Sequence, residues 1–137
     1  MTRMLSGFCA VGLLLLSGCG GSSHPPTGRV SGVVTFRGQP VEGAAVTFFA
    51  TQGKPASGLT DSQGKFVLST FGSKDGAVPG EHVVVISKTE AAPANAKNPY
   101  APAKSLLPVL YGDRKKSPLK ATVAADKTNE FTFELKE

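Results

Sequence analysis

The chain is poor in the residues on which most chemistry depends. Its 137 positions include two histidines, two cysteines and no tryptophan. A zinc site takes about four ligands, mostly nitrogen or sulfur, whereas His24 lies in a Gly/Ser/Pro stretch and His82 stands alone in the remainder, so no histidine-based metal centre is expected. A serine nucleophile needs a base within hydrogen-bond reach, and His82 is again the single histidine on offer. No glycine-rich loop opens a helix to cradle phosphate, and no cofactor is expected. Asp61 lies in a "DSQG" turn that supplies one carboxylate, against the roughly six to eight oxygens of a calcium site. The formal charge is +5, but the lysines are scattered apart from Arg114, Lys115 and Lys116. Nucleic-acid binding calls for a basic stripe with exposed aromatics, so a nucleic-acid partner is not expected. Weak attraction to anionic lipid or acidic polymer stays compatible with the charge.

Long apolar runs are missing too. The continuous stretch from Phe8 to Leu16 falls well short of the roughly 20 residues that cross a hydrocarbon core. With Arg3 before it and small residues after it, the stretch has the three parts of a secretory signal. Its end, Leu16, Ser17, Gly18 and Cys19, resembles the lipobox of bacterial lipoproteins. That resemblance implies a diacylglyceryl group on the Cys19 sulfur, whose thiolate is the nucleophile, and cleavage just before Cys19. Residues 1–18 are then a signal peptide, 19–29 a lipidated cysteine and flexible tether, and 30–137 the domain. Two or three acyl chains hold a protein at a bilayer almost permanently, at about 0.8 kcal/mol per buried methylene. Cys9 leaves with the signal, so no intramolecular disulfide is possible and a packed core must supply stability. Gly20, where enterobacterial lipoproteins retained at the inner membrane carry aspartate, points to the outer membrane or cell surface.

Residues 20–28, "GGSSHPPTG", offer nothing apolar to bury and are expected to be disordered, with His24 in solvent. Short alternating runs follow, the pattern of half-buried strands. Val30, Val34 and Phe36 share a face. Val46 and Phe48 share another in "AAVTFFA", and these two runs are expected to form a hairpin across the turn at Arg37, Gly38, Gln39 and Pro40. A weak strand at 57–60 and a run with Phe66 and Leu68 inward come next. "EHVVVISK" is apolar on both faces and reads as a central strand, with His82 packing or capping at its edge. "LKATVA" and "EFTFELK", separated by "ADKTN", complete seven strands with no helical period. The expected fold is an all-β, seven-stranded antiparallel sandwich of Ig-like architecture.

"GVVTFRGQPVEGAAVTF", "TDSQGKFVLS" and "AVPGEHVVVISK" resemble, in order and spacing, the carboxypeptidase regulatory-like domains. These have a transthyretin-like (prealbumin-like) fold and are common in small planctomycete-type lipoproteins. The resemblance implies a noncatalytic structural or protein-interaction module. The hydroxyisourate hydrolases of the same fold end in a Tyr-Arg-Gly-Ser motif, whereas this chain ends "FELKE". Residues 89–117 form a proline-rich stretch longer than ordinary loops, and such stretches are commonly functional or disordered. Within it Leu107, Leu110 and Tyr111 are expected to cover one edge of the sandwich. Tyr100 and Tyr111 are the candidate contacts for an envelope protein or for a polysaccharide, the alternative ligand class.

Overall fold

Alternation along the sequence reappears as alternation in depth. In "AVTFFA", Val46, Phe48 and Ala50 are buried while Ala45, Thr47 and Phe49 are half-buried. The structure, a computed structural model, describes residues 23–90, 97, 98, 100 and 102–137. The expected signal peptide and Cys19 lie outside the described residues. Among the described residues, ten strands and one short 3-10 turn follow one another: β1 (Arg29–Phe36), β2 (Gln39–Pro40), β3 (Ala45–Ala50), β4 (Ala56–Leu59), β5 (Lys65–Val67), β6 (Gly80–Ser87), β7 (Thr89–Glu90), β8 (Lys104–Ser105), the turn η1 (Val109–Gly112), β9 (Lys120–Val123) and β10 (Thr128–Leu135). Each of the seven runs read from the sequence holds a strand, and β2, β7 and β8 are two-residue ladders beside them.

The strands form two layers, one ordered β10-β1-β2 with β5 also on β1, the other β4-β3-β6-β9. The all-β sandwich is therefore observed, with β6 interior to its sheet as its doubly apolar sequence requires. Two details differ from expectation. The first two runs do not form a hairpin, because β1 and β3 lie in opposite layers. β2 folds back on β1, pairing Phe36 with Gln39, and the chain then crosses over through Val41 and Gly43, the latter at φ +69°. The reason is burial: Val30 and Val34 on β1 and Val46 and Phe48 on β3 are all at or below 1% exposed, which needs them facing one another across the core. Secondly, β1 and β10 pair in parallel, from Arg29 with Thr128 to Phe36 with Leu135. The 124–127 turn carries the chain from one layer to the other, so β10 starts at the same end as β1. Asn129 holds that turn, its Nδ2 donating to the carbonyls of Ala124, Lys127 and Arg29 and its Oδ1 accepting from Ala124 N.

The core centres on Phe48, whose ring centroid lies 5.6–6.4 Å from those of Phe66, Phe131 and Phe133. These are tilted and edge-on arrangements of the kind aromatic quadrupoles favour. Gly32 leaves space for them, since a Cβ there would come within 2.7 Å of the Phe66 ring. Every described strand and core residue lies within 29–137. Within the expected tether, Gly28 exchanges backbone hydrogen bonds with Ala77, and the His24 ring, exposed as expected, stacks on Phe71 at 4.6 Å.

Candidate interaction surface

The long stretch after β6 is pinned where it begins and again from Lys104 onward. β7 and β8 pair Thr89 with Ser105 and Glu90 with Lys104, and Leu106 N donates to Lys88 O. No apolar alternation marks this ladder in the sequence, which is why it went unforeseen. Leu107 and Tyr111 are buried at the sandwich edge, whereas Leu110, expected beside them, remains 37% exposed. A four-residue 3-10 turn cannot aim both neighbouring side chains inward. The Tyr111 hydroxyl donates to Lys136 O at 3.1 Å and accepts from Lys136 N at 3.0 Å. It ties the stretch to the chain just beyond β10, and the buried ring offers little to a partner. Tyr100 is the opposite case at 91% exposed.

After η1 the backbone is held closely. Asp113 Oδ1 accepts from Lys115 N, its carbonyl accepts from Lys116 and Ser117, and the buried Ser117 hydroxyl donates to Val84 O at 2.5 Å. The Arg114 guanidinium lies 4.9 Å over the Phe49 ring on the outer face of the second sheet, a cation–π arrangement that orders a side chain otherwise free in solvent. The stretch thus presents an ordered, basic flank from Lys104 through Lys120 and an exposed ring at Tyr100.

The remaining polar candidates serve the fold. Asp61 Oδ1 accepts from Gln63 N and Lys65 N, closing the turn into β5. His82 is 2% exposed, its Nε2 donating to Val78 O at 2.7 Å and its ring 5.7 Å from Phe48. That carbonyl fixes the Nε2–H tautomer, while Nδ1 is buried with no partner among the described residues. No group of three His, Cys, Asp or Glu that could hold a metal occurs among the described residues.

Sequence reasoning missed Asp75, although "STFGSKDG" carries the Asp-Gly and Ser/Thr punctuation of a capped loop. Its carboxylate accepts from Thr70 N, Phe71 N and Gly72 N at 2.7–3.0 Å. Partial burial opposes ionisation, but these backbone donors, Thr70 foremost, outweigh it and hold the carboxyl below its ordinary value. A depressed folded-state pKa contributes stability that is present above the unfolded value near ~3.9 and is lost as pH falls through the folded one. The stability difference between wild type and Asp75→Asn is expected to be constant above about pH 5 and to shrink below about pH 4. Denaturant titrations across pH 2–6 measure it, and a difference undiminished at the acid end contradicts an ionised cap.

No family model matches the chain, and no curated protein matches it. Among solved structures, the chain is similar to a DUF3823 family protein from Parabacteroides merdae, with 13% identity and a TM-score of 0.42 over 82% of this chain and 47% of that one. The chain thus spans about half the length of that protein.

Proposed function

We propose that this is a noncatalytic, lipid-anchored envelope protein, a β-sandwich of the carboxypeptidase regulatory-like kind that serves as a structural or protein-interaction module. The observation that carries the reading is the polarity of the fold. The chain enters at Gly28 and Arg29, and Tyr111 fastens the long loop beside Lys136, at the other end of the parallel β1–β10 pair. Eight residues of strand separate the two ends by about 26 Å, so the end the tether enters is distinct from the end where the long stretch is fastened, and Tyr100 in that stretch is exposed. Turn-bound Asp61, core-bound His82 and loop-capping Asp75 have sufficient structural roles, which supports a module without a reaction of its own.

Crosslinking the anchored protein in its native cells, and comparing it with a form lacking residues 89–105, tests the reading. One dominant, loop-dependent protein partner is expected. The fully presented Tyr100 ring also suits a sugar face, and retention on insoluble polysaccharide that Tyr100→Ala abolishes would replace the protein-partner reading with that one. Turnover in ester and cyclic-amide hydrolysis screens would overturn both. Cys19→Ala is expected to leave an unprocessed or released chain. Fractionation followed by N-terminal sequencing checks this, and a Cys19→Ala form still cut before residue 19 and still membrane-bound contradicts it.

A further inference from the structure

The charge of this chain is segregated. Residues 104–120 contain Lys104, Arg114, Lys115, Lys116 and Lys120 against the single acid Asp113, a local +4 out of the formal +5. All five cations are exposed; Glu90 stands cross-strand from Lys104, and the one ion pair among the described residues joins Arg37 to Glu137, which line a pocket together with Lys104 and Leu106. The same segment concentrates exposed apolar side chains, with Leu106 at 39%, Val109 at 71% and Leu110 at 37%. The segment is also ordered, through Ser117 on Val84 and Arg114 over Phe49.

We propose that this flank is a docking surface for an anionic lipid bilayer. Lysine carries four of the five cations, and lysine is depleted from protein–protein interfaces. Leucine and valine are under-represented among the residues that dominate such interfaces. Nucleic acid or an acidic glycan would satisfy the charge but would leave Leu106, Val109 and Leu110 in water. A bilayer surface satisfies both, since acidic headgroups meet the ammonium groups while short aliphatic side chains enter the acyl boundary. Where Cys19 is lipidated, as proposed above, the anchor already holds the domain at a bilayer surface.

Binding at this flank does not require the lipid, so the test separates it from the anchoring reading. A chain starting at Ser23 contains every described strand and core residue and is first checked for cooperative thermal unfolding. It is then sedimented with vesicles of 30% phosphatidylglycerol in phosphatidylcholine, with pure phosphatidylcholine, and with soluble polygalacturonate. Salt-sensitive binding to the anionic vesicles is expected, with little to the neutral ones. Each cation near such a surface is worth about fivefold, so Arg114→Gln/Lys115→Gln/Lys116→Gln should weaken partitioning roughly a hundredfold. Lys115→Gln/Lys116→Gln, which spares the stack on Phe49, should weaken it roughly twentyfold. Val109→Asn/Leu110→Asn should weaken it at least about tenfold at unchanged charge. Absence of binding, equal binding to neutral vesicles, or insensitivity to either cation variant overturns the proposal. Binding to polygalacturonate that matches the vesicles and ignores Val109 and Leu110 overturns it in favour of a glycan.

Discussion

Phe48→Ala is expected to destabilise the domain by about 3–5 kcal/mol, a large part of the 5–15 kcal/mol that holds a typical domain together. Phe48 is fully buried and meets Phe66, His82, Phe131 and Phe133 from both layers. Truncation therefore opens a cavity whose walls belong to both sheets and cannot easily collapse together. The loss removes the transfer free energy of the ring and adds a cavity term. Leu59→Ala, on neighbouring β4 but 70% exposed, should change stability by less than about 0.5 kcal/mol. Guanidinium unfolding of the three proteins measures the contrast. A Phe48→Ala loss near that of Leu59→Ala contradicts a single core shared by the layers.

Gly76→Ala is expected to cost about 3 kcal/mol or more through the backbone. Gly76 sits at φ +94°, and a Cβ there would run into the carbonyl of Gly28. That carbonyl cannot swing aside, because it accepts from Ala77 N while Gly28 N donates to Ala77 O. Gly76 N also donates to Leu68 O at 3.0 Å, so the shift would pull at the end of the β5 segment as well. Gly38→Ala is the control. It has a similar positive φ of 76° with nothing within 4 Å of the added Cβ, so only conformational strain of about 1 kcal/mol is expected. Thermal or denaturant unfolding of both variants separates the two terms. Equal losses would show that collision with Gly28 is not what fixes glycine at position 76.

These two residues also mark what could be read from the sequence. Phe48 was legible, because strict alternation in "AVTFFA" assigns it to a buried face, and the same reasoning placed Val34, Phe66, Leu68, Phe133 and Leu135. Layer assignment was not legible. Alternation says which residues face inward and not which sheet they face inward from, so β1 and β3 read as a hairpin although they oppose one another. The parallel pairing of β1 with β10 joins residues almost a hundred positions apart and leaves no local mark. Gly76 carried no more than the ambiguous signal of any Asp-Gly turn, since the obstacle at Gly28 comes from distant chain. Among candidate site residues, the loop that carries Tyr100 was visible from its length and prolines. The burial of Tyr111 followed from its apolar neighbours. The charge segregation over 104–120 was countable, yet its meaning depended on finding Val109 and Leu110 turned outward where the pattern had put Leu110 inside. Cys19 rests on sequence alone.

The central proposal is an anchored module, and intact-mass analysis of the N-terminal peptide from protein purified out of the native membrane fraction tests it most directly. The account predicts a chain beginning at Cys19 with a diacylglyceryl thioether on its sulfur. A chain beginning at any other residue, or one beginning at Cys19 with a free thiol, would contradict it.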